Sequence, residues 1–172
     1  MSLAVALDNS VLGDVTDERI PEIKMEDKEA FEKIVELASQ GSIELGIALS
    51  GALIEERAAG ERTRNALRQK LGGILHVWPV IVPSRLHAEI QERRKCLKKI
   101  MQDRDGIDSG IFLVSTLHAQ YFLTTDYRYH RQFKNQKKRL QDECRITAQV
   151  LTPSEFFSKY IKGEFSCIQK DA

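Results

Sequence analysis

At 172 residues the chain is long enough for one well-buried domain and too short for two ordinary ones. Its 42% apolar and 30% charged residues are those of an ordered globular protein, which excludes disorder, and no apolar run reaches the length of a membrane span. A formal net charge of +1 excludes long-range attraction of nucleic acid by the whole molecule, so any such contact must rest on a local patch.

Leu3-Ala4-Val5-Ala6-Leu7 is a short continuous apolar run and predicts a buried strand ending at Asp8, with Asn9 and Ser10 behind it. No basic stretch followed by a long apolar one marks a secretory signal, which points to the cytoplasm. Asp14 to Lys28, with Pro21, reads as a charged loop entering a helix. Phe31, Ile34, Val35 and Ala38 then recur at helical spacing, and Gly41 ends that helix. Ile43 to Ser50 reads as strand and turn, Gly51 to Arg57 as a helix start, and Glu61 to Leu71 as a short helix closed by Gly72 and Gly73. Ile74 to Pro83 is apolar and β-branched, but Pro79 and Pro83 forbid a regular central strand, so an extended or edge segment is expected. Ser84 is placed to cap a charged helix carrying Leu86, Ile90, Leu97 and Met101, and Asp103 to Gly106 reads as a turn.

From Asp108 to Asp126 an acidic residue opens an apolar stretch and another closes it. Ile111 to Leu117 reads as a buried helix with Asp108 at its start, either as its cap or as a chemical group. Tyr121 to Thr125 is β-branched and aromatic and reads as a strand, which puts Asp126 at the carboxyl end of a parallel strand, where open α/β sheets hold ligands. Tyr127 to Arg145 is polar and basic. Within it Arg128, Arg131 and Lys134 are candidates to grip an RNA backbone, and Tyr127 or Tyr129 to stack on an unpaired base. Should that run be only a solvated face, Arg93, Arg94, Lys98 and Lys99 are the next basic candidates. A last strand at Ile146 to Leu151 precedes Thr152-Pro153-Ser154-Glu155, a capping box with proline at the first helical position. The helix that follows carries Phe156, Phe157, Tyr160 and Ile161, so residues 1–163 form one domain and 164–172 a C-terminal tail.

Cys96, Cys144 and Cys167 are widely spaced and odd in number, which points to reduced thiols, and the histidines show no zinc spacing. Carboxylates drawn from separate segments into one pocket repel unless a cation neutralises them, and oxygen-only ligands select hard ions such as Mg²⁺ or Mn²⁺.

The order strand-Asp, strand-helix-Glu, Asp-helix, strand-Asp resembles the PIN domain, a family of metal-dependent ribonucleases. The matching pieces are LDNSVL from Leu7, LSGALIEERAAG from Leu49, DSGIFLVSTLHAQYFLTTD from Asp108 and VLTPSEFFSKY from Val150. The resemblance implies an α/β fold with a central, mostly parallel sheet flanked by helices on both faces. It implies that Asp8, Glu56, Asp108 and Asp126 are both metal ligands and catalytic groups, supported by Asn9, Ser10 and Thr124. Glu56 takes the family's glutamate position by its distance from Ser50 and Gly60, with Glu55 beside it and Glu44 as the remaining alternatives. The implied activity is Mg²⁺- or Mn²⁺-dependent endoribonuclease cleavage of single-stranded or looped RNA. The implied setting is a toxin of VapC type, with an antitoxin protein as partner and homodimeric assembly. The competing reading is a non-catalytic module that keeps the fold and binds RNA or protein.

Overall fold

The computed structural model describes residues 2–11, 23–48, 69, 71–79, 82–104 and 106–165. Five strands, β1 (Leu3–Leu7), β2 (Ile43–Ala48), β3 (Leu75–Trp78), β4 (Tyr121–Leu123) and β5 (Gln149–Leu151), form one sheet in the order β3-β2-β1-β4-β5. Every pairing is parallel, so the fold is α/β with an all-parallel core. The longer α-helices among the described residues are α1 (Met25–Ser39), α2 (His87–Met101), α3 (Ile107–Ser115), α4 (Tyr127–Cys144) and α5 (Pro153–Ile161). Among the described residues no helix is long and apolar enough to cross a membrane.

Side-chain alternation along the strands divides the core in two. Val5, Leu7, Leu45, Ile47, Tyr121 and Leu123 face one side, where α1 contributes Phe31 and Ile34 and α5 contributes Phe156. Ala6, Phe122 and Val150 face the other, where α2, α3 and α4 bring Leu97, Phe112 and Phe133. A sheet covered on both faces needs strands without polar alternation, which is why β1 could be read as one continuous apolar run. Gly46, on the second face, lies under the Trp78 ring, and a Cβ there would collide with the indole. That close approach lets Trp78 Nε1 donate to Glu44 at 3.1 Å.

Several expectations are met and some are corrected. The proline-flanked segment does hold an edge strand, β3, as expected. Ser84 does not cap α2: it begins a short 3₁₀ turn, Ser84–Leu86, and the helix proper starts at His87 with no side-chain cap. The Thr152 capping box forms as read, with Glu155 N–H donating to Thr152 Oγ1 and Thr152 N–H to Glu155 Oε2. The cysteines are not all reduced thiols, because Cys96 on α2 and Cys144 at the end of α4 form a disulfide with Cα atoms 5.6 Å apart. Spacing in sequence could not reveal that α2 and α4 pack side by side on one face. Phe165, within the expected tail, is buried against Tyr121 and Phe156. The packed region therefore runs past residue 163.

Candidate functional site

In the order β3-β2-β1-β4-β5 the chain reverses direction across the sheet between β1 and β4. Backbones diverge outside the carboxyl ends of two such strands and leave a crevice there. Asp8 follows β1 directly, and its N–H donates to Leu123 O of β4 at 2.8 Å, so it stands at that crevice. Asp126 stands on the other lip as the N-cap residue of α4, where its Oδ1 accepts from Tyr129 N–H at 3.0 Å. Capping uses one carboxylate oxygen and leaves the second for another partner.

Asp8 is the most constrained of the acids. Its Oδ2 accepts from Thr124 Oγ1 at 2.7 Å and from Ser10 Oγ at 2.8 Å. Ser10 in turn accepts from Thr125 N–H, and Thr124 Oγ1 accepts from Asp126 N–H. The β1 and β4 lips are thereby stitched together by two hydroxyls that serve the carboxylate rather than ordinary turns. Burial pushes the Asp8 carboxyl above its ordinary pKa, the two hydroxyl donors pull it back, and the nearby Asp126 charge adds to the rise. Asn9 Oδ1, next to it in sequence, is buried without a hydrogen-bond partner.

Asp108 lies exposed in the first turn of α3 and is not its cap. That role falls to Asp103, whose two oxygens accept from Gly106 N–H and Ser109 N–H while Gly106 takes a left-handed conformation. Asp103 therefore does more than decorate a turn: it fixes the start of α3 and so the place of Asp108. The charges of both bear on Tyr129. The Tyr129 phenol is pushed well above its ordinary value by burial and then by the charges of Asp8, Asp108, Asp103 and Asp126. Acidic residues of three segments, the Asp8 loop, the Asp103–Asp108 turn and the Asp126 cap, thus raise the pKa of one buried hydroxyl, which itself has no hydrogen-bond partner. Sequence reading missed this phenol as a buried group; the available signal was its place one turn after Asp126, with Phe133 one turn further along the same inward face.

Tyr127 and Tyr129 are both engaged within the chain. Tyr129 is turned inward beside Phe133, and Tyr127 is tied down by donating to Asp27 at 2.6 Å with Lys24 over its ring. Arg128 and Arg131 are exposed on α4, and Lys134 lies 4.0 Å from Glu155. His130 is occupied by Glu155 at 2.7 Å. Glu44 sits near the amino end of β2, bonded to Trp78, and is away from the crevice. Glu56, Glu55, Ser50 and Asp105 lie outside the described residues.

No family model matches this chain, and no curated protein matches it. The local geometry must carry the argument. Its donor chemistry suits a hard dication: a half-buried carboxylate held in place by two hydroxyls, a second carboxylate across the crevice, and an orphaned amide oxygen. The described residues do not by themselves close a cage, since among them no three His, Cys, Asp or Glu side chains are grouped to hold a metal ion.

Proposed function

We propose that this chain is a PIN-like, metal-dependent endoribonuclease that hydrolyses phosphodiester bonds in single-stranded or looped RNA. The observation that carries the reading is the Asp8 carboxylate held by the Ser10 and Thr124 hydroxyls at the switch point of a parallel sheet, with Asp126 on the opposite lip. Asp8, Asp126 and Asp108, with Glu56 as fourth acid, would hold Mg²⁺ or Mn²⁺, which keeps several waters and takes few protein ligands. A bound ion supplies an acidified water and a polarised phosphate. Ser10 and Thr124 keep the Asp8 carboxylate aimed and oppose the protonation that burial favours, by donating to one of its oxygens. Tyr129, with its phenol held neutral by burial, offers a hydroxyl donor in the first turn of α4. Arg128, Arg131 and Lys134 follow the site on α4 and offer the RNA backbone a basic rail.

The test is cleavage of a pool of single-stranded and hairpin RNAs with Mg²⁺, with Mn²⁺ and with chelator, beside calorimetric titration of Mn²⁺ into wild type and Asp126→Asn. Metal-dependent cleavage and Mn²⁺ binding, both lost in the variant, support the enzyme. RNA binding with neither cleavage nor ion uptake would favour the non-catalytic module, a reading that the lack of a closed three-ligand group among the described residues keeps in play. Growth arrest on expression, relieved by Asp126→Asn and by a co-expressed neighbouring protein, would place the enzyme in the toxin role with an antitoxin partner. Sedimentation would show whether it works as a homodimer.

A further inference from the structure

β5 is the last strand of the sheet among the described residues, and none of them forms a strand beside its outer edge. Gln149 N–H donates to Gln120 O, and Leu151 O accepts from Thr124 N–H, so those two residues spend their backbone groups on the β4 side. Alternation in a parallel ladder then turns the Val150 N–H and C=O outward. The outward N–H of Thr152 is taken by Glu155, which closes one end of the edge. The helices α4 and α5 pack on opposite faces of the sheet and overhang this edge, forming a groove of about 610 Å³. That volume falls within the roughly 300–1,000 Å³ of ligand clefts.

Lys134 and Lys137 line one wall and Lys159 and Lys162 the other, with Phe133 and Val150 between them. Lys159 is paired to Glu164 and Lys134 lies by Glu155, whereas Lys137 and Lys162 form no ion pair among the described residues. We propose that this edge is a docking site for an extended, acidic segment of a partner protein, which adds as a strand beside β5. The strand edge supplies backbone hydrogen bonds, the groove takes an apolar side chain, and the lysines select acidic flanks. Lysines beside an edge also deter self-pairing, and a second copy would set lysine against lysine. RNA has no use for the outward Val150 amide. The proposal goes beyond the nuclease reading and does not depend on it.

The probe is a short fluorescent peptide alternating Glu and Val, added to the full-length protein and followed by anisotropy and by hydrogen exchange at the Val150 amide. Saturable binding with slowed exchange at Val150 is expected. Methylating alternate peptide amides should abolish it, since charge remains and strand pairing is lost. Lys137→Glu with Lys162→Glu should weaken it by about tenfold or more, with metal-dependent RNA cleavage unchanged. Equal binding of the methylated peptide, unchanged affinity in the lysine variant, or a uridine oligomer that protects Val150 in place of the peptide would each overturn the proposal. So would concentration-dependent self-association that protects the same amide.

Discussion

Asp8 shows how one residue's surroundings set both its stability cost and its use. Folding buries its carboxyl beside Asp126, so the folded chain holds the Asp8 proton to higher pH than the unfolded chain does. Proton uptake then favours the fold, and the Asp8 contribution is greatest at low pH and is lost as pH rises from the ordinary carboxylate value through the raised one. We expect metal-free wild type to lose melting temperature across that window relative to Asp8→Asn, with the difference shrinking when Mn²⁺ is added. The same variant should lose RNA cleavage while its metal-free fold is as stable or more so. A variant that matches wild type in both the pH series and cleavage would remove Asp8 from the site. Asp27 is a different case, an almost wholly buried carboxylate with donors from Tyr127 and from Ser154 N–H. Tyr127→Phe withdraws one donor from it and should cost about 1.5–3 kcal/mol in a denaturant melt.

The element on which most of this depends is α4. Its buried stripe of Phe133, Leu140 and Cys144 fixes it to the sheet, its N-cap is a proposed ligand, and its exposed side carries Arg128 and Arg131. Phosphate grip and metal chemistry are separate contributions on one helix, and they can be separated experimentally. Replacing Arg128, Arg131 and Lys134 by Gln together should weaken single-stranded RNA binding and reduce the magnitude of the log–log salt slope by about 2 units. Cleavage at saturating RNA should fall far less than in Asp126→Asn. An unchanged salt slope would make this face a solvated one and shift attention to α2. There Arg94 Nε donates to Gly106 O at the start of α3, close to Asp108.

At the scale of the whole molecule, Cys96 and Cys144 close a span of 48 residues that contains α3, β4 and most of α4. Reduction, or Cys96→Ser, should lower stability by about 2–4 kcal/mol, read as a fall in denaturant midpoint. A midpoint indifferent to reductant would show that helix packing alone holds α2 to α4. The chain by itself determined the elements wherever local physics decides: the apolar run of β1, the stripe of α1, the capping box of α5 and the strand-end position of Asp8, whereas Asp126 comes three residues past β4 as the N-cap of α4. Each follows from periodicity or from a cap within a few residues, which a sequence displays directly. Only the tertiary structure decided that Asp103 rather than Asp108 caps α3, that the Tyr129 hydroxyl is buried with its ring beside Phe133, and that Cys96 meets Cys144. Those outcomes depend on which faces of separate elements come together, and side-chain identity leaves that open until the sheet order and the two buried faces have set every helix in place.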